Sequence, residues 1–192
     1  RDPAEKVGKR EGNITTSLQL VTEEIILKLA NNLAKRVESR NLVFVGGCAM
    51  NSVAAGKLTA ETPFENCFVP CGAADNGTAI GAAFHVWNRE LGNSRSFELT
   101  HALWGPEGDK IEGEEFDDDQ VIDLICEGGV VGWFQGRAEF GARALGNRSL
   151  LADPRRADMR DLINTKIKYR ERFRPFAPSV LEEHVGDWFE DP

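Results

Sequence analysis

The stretch from Asn41 to Leu91 confines this chain to few folds, because it twice delivers a short apolar run to a turn of small residues and then enters a helical pattern. Asn41-Leu-Val-Phe-Val45 is a β-branched and aromatic run that stops at Gly46-Gly47, as a buried strand feeding a tight turn does. Met50 to Leu58 then reads as the first turns of a helix. Asn66-Cys-Phe-Val69 repeats the strand pattern and ends at Pro70; Gly72-Ala-Ala74 leads into Asp75-Asn-Gly-Thr78 and an alanine-rich helix through Leu91. Upstream, Leu18, Val21, Ile25, Leu29, Leu33 and Val37 recur at spacings of three and four, which predicts a helix over 15–39 with that face in the core. Strands alternating with helices argue for an α/β fold with function at the strand ends.

The second half continues in the same style. Gly92-Asn-Ser-Arg-Ser96 and the stretch 105–115 read as connectors, the latter entering an acidic run that ends at Asp119, so a boundary falls near residue 100. Beyond it the pattern predicts a helix over 116–127, strands over 129–134 and 149–152, a helix over 157–169 and a strand over 175–181. No internal repeat or low-complexity segment is present.

Length and charge narrow the function. At 192 residues the chain is one large domain or two small ones, against a typical domain of ~100 to 200 residues. Its net charge of −8 argues against a nucleic-acid or anionic-membrane surface. No apolar run reaches the ~18 residues of a membrane span and no signal peptide opens the chain, so a soluble cytoplasmic protein is expected. Because it opens on Arg1 and closes on Asp191-Pro192, a piece of a longer polypeptide is also expected. Cys48, Cys67, Cys71 and Cys126 are expected to be reduced and buried, and His85, His101 and His184 lie too far apart in sequence to complete a zinc knuckle.

Three places carry candidate chemistry. Residues 137–174 hold 11 basic and 5 acidic side chains, a basic island in an otherwise acidic protein. Arg137, Arg143, Arg148, Lys168, Arg170, Arg172 and Arg174, with glycines at 136, 141 and 146, suit a phosphate or carboxylate ligand, or else form a solvated face. The Phe173-Arg-Pro-Phe176 corner favours Arg174 over Arg170 and Arg172 as a site residue. Gly46-Gly47, with Asn51 a helical turn further on, is either a nucleotide-approach turn or a plain tight turn. Asp75 is either a cation ligand or a helix cap, and a lone carboxylate cannot complete a metal site.

Four motifs together resemble the O-carbamoyltransferase family, which includes nodulation-protein-U and antibiotic-tailoring enzymes. They are Val45-Gly-Gly-Cys-Ala-Met-Asn51, Gly72-Ala-Ala-Asp-Asn-Gly-Thr-Ala-Ile-Gly81, Gly136-Arg-Ala-Glu-Phe-Gly-Ala-Arg-Ala-Leu-Gly-Asn-Arg-Ser149 and Phe173-Arg-Pro-Phe-Ala-Pro178. The first two are shared with the wider actin-like, sugar-kinase-type ATPases. The resemblance implies that 1–100 is the C-terminal part of an actin-like (ribonuclease-H-like) ATPase domain and 101–192 the start of a YrdC-like α/β domain. It implies an enzyme that joins ATP and carbamoyl phosphate into carbamoyl-adenylate and passes the carbamoyl group to a hydroxyl of a small-molecule acceptor. It places the adenylate-forming cations on Arg143, Lys168 and Arg174, and the nucleotide-binding positions on Gly46, Gly47, Asn51, Asn76 and Gly77. The carboxylate ligand of an iron-type divalent metal falls on Asp75, with magnesium a further candidate as the partner of ATP. The histidine ligands of that metal, and the remainder of the YrdC-like domain, belong to parts of the family outside this chain.

Other readings fit parts of the same pattern. An actin-like small-molecule kinase would use Gly46-Gly47 and Asp75 equally well but leaves the second half unexplained, and a non-catalytic nucleotide-binding module would use the basic island for docking. Neither the acceptor nor the oligomeric state is legible in the sequence.

Overall fold

The computed structural model describes residues 8–108 and 117–190 and divides the chain into two compact units, Arg1–Trp104 with Phe140–Arg143, and Gly105–Glu139 with Ala144–Pro192. Both combine helices with a two-stranded sheet, a mixed α/β architecture. The expected acidic connector lies largely outside the described residues, as does Phe116.

In the first unit α1 (Lys9–Ala34) starts where the Glu11 carboxylate reaches back to accept the Gly8 N–H at 2.9 Å. Strand β1 (Asn41–Val43) ends just before the glycine pair, a short 3₁₀ turn follows over Gly47–Met50, and α2 (Ser52–Glu61) crosses to β2 (Asn66–Phe68). The two strands run parallel, with Leu42 opposite Cys67, so β1, α2 and β2 form a crossover unit. Ile26 and Ala30 of α1 pack with Ala54, Leu58 and Phe64, and Leu42, Phe44 and Cys67 close this core from the sheet side. Helix α3 (Gly77–Phe84) continues as a wider π-type turn over His85–Glu90. The connector after it folds back through ring contacts of Phe97 with Phe84 and with Trp104, at 5.9 and 4.5 Å between centroids.

Helix α1 corrects two expectations. It covers Lys9–Ala34 rather than 15–39, which leaves Val37 beyond its end. The stripe of Leu18, Val21, Ile25, Leu29 and Leu33 is not in the core: these side chains keep 42% to 65% of their surface exposed, while Glu23, Ile26 and Ala30 are buried. The reason is close packing. Ala30 and Ala54 are small enough for α1 and α2 to approach, and Glu23 is drawn in by Lys57, whose Nζ donates to its carboxylate at 2.7 Å.

In the second unit α4 (Asp118–Cys126) is capped by Asp117, whose carboxylate accepts from the Gln120 N–H at 2.8 Å. Strands β3 (Val130–Phe134) and β4 (Arg148–Ala152) pair antiparallel, with Gly132 opposite Leu150. Helix α5 (Met159–Leu162) runs on as a π-type turn over Ile163–Ile167, and a short α6 (Val185–Trp188) follows. The strand expected over 175–181 is not there: this segment has no regular structure. Pro175 and Pro178 bring no N–H to a ladder, which is why the apolar pattern does not become a strand.

All four cysteines are free thiols, but the expected burial fails, since Cys48 and Cys126 are exposed and Cys67 and Cys71 are half-buried. Burial pushes the Cys67 thiol up. Among the described residues no helix is long and apolar enough to cross a membrane.

Candidate functional site

In the first unit the turns after β1 and β2 meet at the C-terminal ends of the parallel strands, where ligands bind in open α/β sheets. The Gly46 N–H donates to the Ala73 carbonyl at 2.7 Å and ties the two turns together. Gly46 adopts φ +95°, and a Cβ built on Gly46 or Gly47 meets nothing within 4 Å, so the backbone faces open space that a ligand can enter. Asn51 caps α2, its Oδ1 accepting from the Ala54 N–H at 3.2 Å. The same amide exchanges hydrogen bonds with Gln19 at 2.8 and 3.2 Å, so Asn51 is committed to joining α1 to α2.

At the start of α3 the capping position belongs to Asn76 rather than Asp75, and no side chain caps the helix there. The Asp75 carbonyl accepts from Thr78, at 2.6 Å from the hydroxyl, while its carboxylate is exposed and has no partner among the described residues. Gly77 is fixed by packing, because a Cβ there would lie 2.0 Å from the Gly72 carbonyl oxygen. Phe140–Arg143 completes this unit: the Phe140 N–H donates to the Ala102 carbonyl at 2.6 Å, and a Cβ on Gly141 would stand 2.3 Å from the Cys71 carbonyl oxygen. Arg143 is exposed and without a partner among the described residues.

In the second unit most charges of the long β3–β4 connection hold backbone. Arg148 donates to the carbonyls of Gln135 and Asn147, each at 2.8 Å, and of Gly136 at 3.0 Å, with its guanidinium 3.4 Å from the Phe134 ring centroid. Arg137 Nε donates to the Gly105 carbonyl at 3.0 Å. The Glu139 carboxylate accepts the N–H groups of Leu145 and Asn147 at 2.6 and 2.8 Å. Burial pushes that carboxyl up, but the backbone N–H groups outweigh burial and hold it below the usual range. Further on, Arg155 grips Asp153 with two bonds of 2.8 Å, which lowers the Asp153 carboxyl.

The last basic cluster winds through 168–174. Lys168 is exposed with no partner among the described residues, and Tyr169 after it has φ +48°, the one positive value on a non-glycine described residue. Arg170 Nε donates to Asn164 Oδ1 at 2.7 Å and its guanidinium lies over Phe176, Arg172 reaches Asp161 at 3.8 Å, and Arg174 pairs with Glu171 at 2.8 Å on the surface. Arg143 groups with the first unit, and Lys168 and Arg174 with the second. Sequence reasoning missed Asn164 and Glu139. A polar residue in a helical span reads as a solvent face, and their partners are backbone groups that the pattern does not reveal. Among the described residues no three His, Cys, Asp or Glu side chains are gathered as a metal set, so Asp75 alone is not a metal site.

Residues 2–84 match the family model described as Carbamoyltransferase N-terminus, and residues 122–192 the one described as Carbamoyltransferase C-terminus. The chain is 43% identical over 99% of its length to the uncharacterized protein sll1178 of Synechocystis, covering 34% of that protein. It is 42% identical over 94% of its length to nodulation protein NolNO of Sinorhizobium fredii, covering 29% of it. To the 3'-hydroxymethylcephem-O-carbamoyltransferase of Streptomyces clavuligerus it is 33% identical over 90% of its length, covering 35% of that enzyme. The chain thus spans about a third of the length of these relatives. Two matched family models and relatives that align along nearly all of it lead to one conclusion: the chain belongs to the O-carbamoyltransferase family.

Proposed function

We propose that this chain is the middle part of an ATP-dependent O-carbamoyltransferase, in which an actin-like domain ends and a YrdC-like domain begins. The observation that carries the reading is how the basic residues are occupied. Arg137, Arg148 and Arg170 hold backbone or a buried amide, whereas Arg143 and Lys168 have no partner among the described residues and Arg174 has only the exposed Glu171. These last three are the positions that the family resemblance assigns to adenylate formation. ATP and carbamoyl phosphate are polyanions, and cations that are not already spent are what neutralises their repulsion.

In the proposed sequence water releases phosphate from carbamoyl phosphate, a carbamate oxygen attacks the α-phosphorus of ATP, and pyrophosphate leaves. A hydroxyl of a small-molecule acceptor then takes the carbamoyl group and AMP departs. The name of the Streptomyces relative describes transfer to a hydroxymethyl group, which supports a hydroxyl acceptor here. Gly46 and Gly47 offer open backbone to the nucleotide, with Asn51, Asn76 and Gly77 shaping the turns around it. Asp75 is proposed as one ligand of a divalent metal whose other ligands come from the rest of a polypeptide of the relatives' length. The protein is proposed to work in the cytoplasm.

The test is carbamoyl-phosphate-dependent exchange of pyrophosphate into ATP, in a polypeptide of the relatives' length carrying this sequence. AMP and pyrophosphate are the expected products; ADP instead would identify a kinase. Arg174→Ala removes a charge-assisted hydrogen bond worth ~1.5 to 3 kcal/mol and is expected to slow exchange roughly tenfold to hundredfold. Arg172→Ala, which loses only a long surface pair, is expected to stay near the unsubstituted rate.

A further inference from the structure

The segment from Lys168 to Arg174 turns about one side chain. Asn164 has no exposed surface, and its amide makes three hydrogen bonds within its own unit. Nδ2 donates to the carbonyls of Arg172 at 3.2 Å and Arg174 at 2.8 Å, while Oδ1 accepts from Arg170 Nε at 2.7 Å. Only this orientation satisfies all partners, since a flipped amide would set its oxygen against two carbonyls and its NH₂ against a guanidinium. The backbone carbonyl of Asn164 also accepts the Arg170 N–H at 2.8 Å.

The consequence falls on Arg174. Its carbonyl is fixed by Asn164, and the ring of Pro175 restricts the backbone that follows. Phe176 beyond it lies under the Arg170 guanidinium, 4.8 Å from the ring centroid. The Arg174 guanidinium itself stays about half exposed, paired at 2.8 Å with a Glu171 that is equally exposed. Such a pair contributes little and gives way to a ligand anion at small cost. The backbone of Arg174 is therefore rigid and its charge available.

We propose that Asn164 is a positioning residue for Arg174, and that Arg170 acts through Asn164 by locking the orientation of its amide. This rests on the reading above, in which Arg174 is one of the cations that neutralise carbamoyl phosphate and ATP. A preset cation binds an anion more tightly than the same cation on a mobile loop, because less ordering is left to pay at binding.

The test is calorimetric titration, with carbamoyl phosphate, of a polypeptide of the relatives' length carrying this sequence. Arg174→Ala is expected to weaken binding about tenfold or more, as loss of a charged hydrogen bond does. Arg170→Ala is expected to cost roughly three- to tenfold with Arg174 present and less than about twofold once Arg174 is alanine, the coupling of residues that act as a unit. Asn164→Ala should show the same dependence on Arg174 with a larger loss, and Arg170→Ala carries the test if Asn164→Ala does not fold. Arg172→Ala is expected to stay within about twofold, since only a weak surface pair is lost. Equal losses for Arg170→Ala with and without Arg174, or equal losses for Arg170→Ala and Arg172→Ala, overturn the positioning role and leave the anion site standing. Binding that is absent from the unsubstituted chain, or indifferent to Arg174→Ala, removes the anion-site reading itself and the positioning role with it.

Discussion

Arg148 and Arg143 stand five positions apart in one motif and have opposite fates, the first holding three carbonyls and the second meeting no described partner. Charge alone therefore does not mark a site residue; what matters is whether the protein has already used it. The same test separates Asp75 from a structural cap. Its carboxylate supports no part of α3, so Asp75→Asn is expected to leave the melting temperature unchanged. Metal content and carbamoyl transfer should fall in a polypeptide of the relatives' length, while carbamoyl-phosphate-dependent exchange continues. Metal content and transfer that stay at the unsubstituted level would reduce Asp75 to a surface residue. In the Arg174 corner the restriction imposed by Pro175 was legible, because proline acts on its own neighbours. Asn164 was not legible, since the carbonyls it serves lie eight and ten residues further on.

Among the elements, α1 shows most clearly where pattern and packing part. Periodicity found the helix but chose the wrong face, because Ala30 carries little hydrophobic signal and Glu23 carries the opposite one. What decides the face is the partner, α2, whose Ala54 permits close approach and whose Lys57 neutralises Glu23. Strands β1 and β2 were legible because apolar runs between turn residues leave few alternatives, whereas proline kept the strand expected over 175–181 from forming. The Glu23–Lys57 pair also sets a pH dependence. Hydrogen bonds from Lys57 and Gln19 hold the Glu23 carboxyl below its usual range, so its contribution is present at neutral pH and is lost as pH falls through that lowered value. Lys57 is raised by the same bond, so its contribution persists below the usual lysine range and fades as pH rises through the raised value. Glu23→Gln is therefore expected to flatten the acid side of a melting-temperature profile, and an unchanged profile would show that the pair does not hold α1 to α2.

As a whole molecule, the chain covers about a third of its relatives' length, and on the proposed reading it holds parts of more than one site. The 192 residues alone are expected to give no steady carbamoylation of any acceptor, measured by product formation over many turnovers, and sustained turnover would overturn this. The split into two units matched no single break in composition. The connectors mark a break in the sequence near residue 100, but the return of Phe140–Arg143 to the first unit was not legible, because it depends on Gly72 leaving room for the Phe140 ring and on Gly141 letting backbone approach Cys71. That return has a practical consequence for dissecting the protein. No single cut of the polypeptide releases both units intact: a truncation after Trp104 deprives the first of the residues that hydrogen-bond Ala102 and pack on Cys71 and Gly72, while a fragment starting at Gly105 carries them away from their seat. Half-molecules made at the obvious linker would be damaged by the cut itself, and their inactivity would say nothing about which half holds the chemistry.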